Sequence, residues 1–200
     1  MPGHAAYMLP PLMRSRAAIA LACAALLAVA VGACGEDEEE ATGAAGASLV
    51  NAEAVEGEPL DLNELSYNIQ ITRFLNPDDA ADSEYLVGQP PAAPGTSYLG
   101  VFMVIENETS EPRPSATNYV VTDTVGEEYG VAESESPYAL EVGAEVPAEG
   151  QIPLPNTTAA TGPNQGSLLI FVVDDAVSNN RPLRLEIQTF AGDGDVILDI

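Results

Sequence analysis

The sequence predicts an all-β fold: an antiparallel β-sandwich of seven to nine short strands, with one short helix in a long loop. Three observations carry that expectation. Apolar and polar residues alternate at period two through much of residues 59–200. Two runs, Tyr98–Ile105 and Leu168–Val173, are apolar on both faces, as strands in the middle of a covered sheet are. No long segment carries the 3.6-residue period of an amphipathic helix, and turn residues separate the runs.

Each element follows from its own residues. Tyr67, Ile69 and Ile71 alternate with Asn68, Gln70 and Thr72, which reads as a half-buried strand. Tyr119 and Val121 lead into the turn Asp123-Thr124-Val125-Gly126, with Glu127–Val131 as the return strand. Tyr138, Leu140 and Val142 predict another strand, and Ile152 with Leu154 a short one. Leu183, Leu185 and Ile187 alternate with Arg184, Glu186 and Gln188; Val196, Leu198 and Ile200 form the last strand. The one helix is expected after Asn76, where Pro77 suits a first turn, Asp78, Asp79 and Asp82 favour a helix N-terminus, and Gly88 stops it. It lies in the connection Asn76–Thr96, which is long for a compact sandwich and therefore a candidate for function.

The N-terminus reads as an address. Arg14 and Arg16 precede an uncharged apolar run, Ala17–Val31, shorter than the roughly 20 residues of a spanning helix. Val31-Gly32-Ala33-Cys34 resembles the lipobox of bacterial lipoproteins. That resemblance implies a signal peptide over residues 1–33 and a diacylglycerol on Cys34, the first residue of the mature chain. Residues 1–12 read as an upstream extension, with Met8 or Met13 as alternative starts. Two acyl chains give stable anchoring, so the expected location is the outer, extracytoplasmic face of the cell membrane. Residues 34–58, small, acidic and without aromatics, read as a disordered tether. Residues 59–200 then form the one domain.

Composition excludes several function classes. The chain has 31 Asp plus Glu, one His, two Cys and no Trp, and its six cationic residues are all arginine, for a formal net charge of −25. His4 and Cys23 fall in the signal peptide, so the mature chain has no imidazole base and, once Cys34 is acylated, no thiol. Only Arg73, Arg113, Arg181 and Arg184 would remain against all the acids, which rules out nucleic acid as a partner. Met103 is the one mature methionine and lies on a core strand, so copper binding by methionine is not available.

A family resemblance extends the fold reading. Val104-Ile105-Glu106-Asn107 ends an aliphatic strand, Asp123-Thr124-Val125-Gly126-Glu127-Glu128-Tyr129 follows as a hairpin, and Leu140-Glu141-Val142-Gly143 comes after. Over about Leu60–Val173 this pattern resembles the telokin-like, immunoglobulin-like domains of unknown function found in bacterial surface lipoproteins. The resemblance implies an immunoglobulin-like sandwich at the cell envelope and brings no activity. Antibody-type domains are excluded, because the core Trp and the Cys pair are missing.

No catalytic set is legible, and no enzyme is expected. Paired carboxylates can hydrolyse glycosides, but such clefts usually carry aromatic platforms. Calcium would suit Asp78, Asp79 and Asp82, or Asp174 and Asp175, or Asp193 and Asp195, though Asp78 and Asp79 are equally well explained as helix N-terminal charges and Asp193-Gly194-Asp195 has the look of any tight turn. No cofactor and no metal ligand is assigned. Asn107-Glu108-Thr109 and Asn156-Thr157-Thr158 match a glycosylation pattern but read as turns. Tyr85, Leu86 and Val87, ahead of a Pro-rich run, offer an apolar anchor for a partner; the alternative is that they cover the sandwich. The expected function is a membrane-anchored interaction or accessory module for an envelope protein. A calcium- or small-ligand-binding lipoprotein is the alternative.

Overall fold

A computed structural model describes residues 52–200. The signal peptide, Cys34 and most of the expected tether lie outside the described residues. The chain opens with β1 (Ala52–Val55), β2 (Pro59–Leu62), β3 (Leu65–Leu75) and β4 (Thr96–Asn107). The pieces β5 (Arg113–Pro114), β6 (Asn118–Thr122), β7 (Glu128–Gly130), β8 (Glu145–Val146) and β9 (Gly150–Ile152) follow. A one-turn helix α1 (Thr158–Thr161) precedes β10 (Ser167–Asp174), a 3-10 turn at Asp175–Asn179, β11 (Leu183–Gln188) and β12 (Asp193–Leu198). Among the described residues, eight of the twelve strands have four residues or more.

Two sheets face each other, as the sandwich expectation requires. One has the order β1-β12-β11-β6-β7; the other runs β10-β4-β3-β2, with β9 pairing the end of β4. β5 and β8 form a separate two-stranded ladder. All pairings are antiparallel except β1 with β12, where Ala52 lies opposite Gly194 and Val55 opposite Ile197. The seams are partly closed: Val131 bridges Phe171, carrying the chain beyond β7 onto β10, and the Glu56–Glu58 turn carries β1 into β2.

The two doubly apolar runs are β4 and β10, and the structure explains both faces. Leu99, Val101, Met103 and Ile105 of β4 and Leu169, Phe171 and Val173 of β10 point into the core between the sheets. Tyr98, Phe102, Leu168 and Ile170 point outward into a second apolar cluster with Tyr85, Tyr138 and Ala159. A bulge in β3 between Ile69 and Ile71 reverses its phase: Tyr67 and Ile69 face the inner core, whereas Ile71 and Leu75 face the outer cluster. Gly100 lets the cover approach, because a Cβ there would sit 3.0 Å from Leu75 Cδ1. The other sheet behaves differently. Arg184, Glu186 and Thr122 face solvent between buried Leu183, Leu185, Ile187 and Val121, which is why those strands alternate cleanly.

Three expectations are corrected. The domain begins no later than Ala52 rather than at Pro59, since β1 pairs with β12 and the Glu56 carboxylate accepts hydrogen bonds from the amides of Thr72 (2.9 Å) and Asp199 (3.0 Å). Tyr138–Val142 forms a single bridge to β10 instead of a strand, because turns at Ser136–Ala139 and Glu141–Ala144 bracket it. The short helix is α1, capped by Thr157, whereas the residues after Asn76 make successive turns. There the amides of Asp79, Asp82 and Tyr85 donate to the carbonyls three residues back. The Asn76 and Asp79 side chains take the Asp78 and Ala81 amides, competing with a helical ladder.

Candidate functional site

The Asn76–Thr96 connection is the cover of the second sheet. Tyr85 is 2% exposed, so it does not offer the exposed anchor that the sequence suggested. Its ring lies edge-on to Phe102 and Tyr138, with centroids 5.1 and 4.7 Å away, and its hydroxyl accepts from Asn164 Nδ2 at 3.2 Å. The Arg73 guanidinium lies 5.6 Å from the ring centroid and is paired with the buried Asp82 carboxylate, which also accepts from the Asn76 amide. Tyr98 donates its hydroxyl proton to the Pro90 carbonyl and fixes the Pro-rich half. Leu86 packs half-buried against the same cluster, and Val87 alone of the three expected contact residues is exposed. The physical reason is the outward row Tyr98–Phe102–Leu168–Ile170, whose apolar area would otherwise meet water.

The acidic residues are dispersed rather than gathered. Asp82 is held by Arg73, Asp175 accepts from Ser97 Oγ at 2.6 Å, and Asp195 accepts from Arg184 Nη1 at 3.1 Å. Among the described residues no three His, Cys, Asp or Glu are placed to hold a metal ion. Asp123 organises its hairpin turn. Burial pushes its carboxyl up, but hydrogen bonds from Asn180 Nδ2 and from the Glu127 and Val125 amides more than offset this and hold it low. Asn107 is buried, with its amide nitrogen donating to the Glu111 and Val146 carbonyls, so that acceptor pattern is a turn. Thr157 of the second pattern caps α1.

Two surface features remain. A groove of about 510 Å³ runs between the segments Pro137–Pro147 and Ile152–Ala159, with half-exposed Leu154 at its rim. The other is the tip of the β11–β12 hairpin. Phe190 there is 79% exposed, and every other aromatic side chain among the described residues is buried or half-buried. The tip is fixed by its own hydrogen bonds. Thr189 Oγ1 donates to the Gly192 carbonyl at 2.6 Å, the Thr189 amide donates to the same carbonyl at 3.1 Å, and the Ala191 amide donates to Thr189 Oγ1 at 3.2 Å. Gly192, at φ +153°, supplies a backbone that side chains rarely adopt. A large apolar ring is thus held out of the protein on a preorganised turn. Sequence reasoning missed it, although Thr189-Phe190-Ala191-Gly192 sits between two alternating strands, where a hairpin tip belongs.

No protein family matches the sequence, and no curated protein is significantly similar to it. Solved structures do resemble it. An uncharacterised β-sandwich protein from Clostridium difficile 630 aligns at 15% identity and a TM-score of 0.45, over 74% of this chain and 95% of its own. The yjhA protein of Bacillus subtilis aligns at 12% and 0.46, over 74% and 99%. A secreted protein from Mycobacterium tuberculosis aligns at 12% and 0.49, over 76% and 100%.

Proposed function

We propose that the chain is a lipid-anchored, extracytoplasmic interaction module, held to the membrane through Cys34 and acting by docking rather than by catalysis. One observation carries the docking reading: Phe190, fully presented on a rigid hairpin in a domain that otherwise shields its aromatics. Binding energy at protein interfaces concentrates in such anchors, and a turn already fixed by hydrogen bonds loses little entropy on docking. The anchoring reading is supported by Arg14 and Arg16, the apolar run, and Val31-Gly32-Ala33-Cys34.

The test is the size of the native assembly in mild-detergent extracts of the producing cell. The wild-type protein should migrate in a complex well above the size of a single processed chain, and Phe190→Ser should migrate alone. Migration of both as single chains would refute docking through this residue. A fatty-acid label taken up by the wild type and lost in Cys34→Ala tests the anchor separately. The groove of about 510 Å³ favours a second reading, a small apolar ligand seated beside Leu154. That reading predicts ligand-dependent thermal stabilisation, abolished in Leu154→Glu.

A further inference from the structure

We infer that the surface receiving Phe190 belongs to a membrane-embedded protein, presenting an apolar pocket rimmed by arginine or lysine. This rests on the lipid-anchored docking reading above. Its first support is position. Ala52, the first described residue, lies opposite Gly194, just past the hairpin tip, so the chain enters the domain at the end that carries Phe190. A hollow lined by Ala52, Asp61, Asn63, Thr189, Ala191 and Gly192 joins the two. Seventeen residues, Gly35–Asn51, separate Ala52 from Cys34. That length spans at most about 60 Å even when fully extended. On the anchored reading the hairpin therefore stays within that reach of the bilayer, at the end of the domain where the chain enters. The opposite end of β11 faces the Asp123–Glu127 turn, where the Thr124 amide donates to the Asn180 carbonyl.

The second support is charge, which selects among three occupants. Asp61 and Asp193 flank the tip, Glu64 stands on the neighbouring turn already paired with Arg113 at 2.8 Å, and the chain has no lysine to counter them. Anionic lipid headgroups would be repelled by this rim, so the bilayer itself is a poor acceptor for the ring. A second copy would bring the same acids face to face, in a chain of formal charge −25. A protein pocket with a cationic rim meets both the ring and its surroundings, and the anchor restricts the choice to proteins at the membrane surface.

The test places a photo-cross-linking residue at position 190 of the full-length protein in living cells. Position 125 serves as control, since Val125 is exposed at the opposite end. A fatty-acid label on the same preparation reports the anchor. The expected result is an adduct at 190, absent at 125, with a transmembrane protein cross-linked beside an arginine or lysine. Asp61→Asn with Asp193→Asn should reduce its yield about fivefold, from the loss of two rim charges. With the label present, a self-adduct or a soluble-protein adduct at 190 would overturn this inference alone, whereas a lipid adduct or no adduct would overturn docking through Phe190 together with it. An unlabelled protein would overturn the anchor and this inference together.

Discussion

Raising the pH should destabilise this protein, chiefly through two phenols in the core between the sheets, while burial also pushes up the phenols of Tyr98, Tyr129 and Tyr138. Tyr67 and Tyr119 lie in the core between the sheets, and the Tyr67 hydroxyl accepts the Ala116 amide at 2.8 Å. Burial pushes Tyr67 from the ordinary 10.0 up to about 12, with the Ala116 hydrogen bond acting the other way. Tyr119 is pushed up further by burial and by the neighbouring Tyr67, against a lowering influence of Ser115. Both groups hold their protons when folded at a pH where unfolded phenols have lost theirs. The unfolded state then binds fewer protons, so stability falls as pH rises. The contribution is fully present below about pH 10 and is lost as the pH climbs through the folded values. For Tyr67 the rise from 10.0 to about 12 corresponds to about 3 kcal/mol, a large share of a small domain's stability. With no lysine in the chain, no ammonium group titrates in the same range. The assay is urea unfolding followed by circular dichroism from neutral pH to about 12, with tyrosinate absorbance recorded in parallel. Tyr67→Phe should cost about 1–3 kcal/mol at neutral pH, because the Ala116 amide loses its acceptor, and should flatten the alkaline fall. Constant wild-type stability up to about pH 12, or all phenols of the folded protein ionising together near 10, would refute the reasoning.

Other perturbations read other parts of the fold. Glu56→Ala removes the acceptor of the Thr72 and Asp199 amides and should lower stability by about 1–3 kcal/mol, measured by denaturant unfolding. Tyr85→Ala should cost about 3–5 kcal/mol by emptying the outer cluster, and a near-neutral result would contradict its placement under the cover. The Asp123 carboxyl titrates below its ordinary value when folded. It therefore contributes stability above the ordinary carboxylate range that is lost as pH falls through the lowered value. The hydrogen-exchange protection of the Val125 and Glu127 amides, relative to their intrinsic rates at the same pH, should fall in Asp123→Ala and, in the wild type, on acidification.

Much of the sandwich was legible in the sequence because burial on one face or two leaves different periods. Tyr98–Ile105 and Leu168–Val173 read as doubly covered strands and are so except near their ends, where Val104 is half-buried and Val172 exposed, while Leu183–Gln188 alternates because its outer face meets water. The bulge at Gln70 was not legible, since a phase reversal within Tyr67–Leu75 leaves apolar residues at positions that still suit a strand. Ala52–Val55 was taken into the tether because Ala-Glu-Ala-Val among further acids carries no local signal. Their order comes from a parallel partner about 140 residues away, a tertiary effect. The loop anchor at Tyr85 misled for a related reason. An aromatic in a Pro-rich connection looks exposed until the sheet face it covers is known. Phe190 was passed over altogether, because a single aromatic beyond an alternating strand gives no sign of exposure until the hairpin places it at the tip.

The most direct test of docking through Phe190 is hydroxyl-radical footprinting of the native protein in intact cells, compared with the purified domain. In the purified domain Phe190 and Val125 should both be oxidised readily, as exposed side chains at opposite ends. In cells the account predicts strong protection of Phe190 with Val125 unchanged. Equal oxidation of Phe190 in both settings would contradict it.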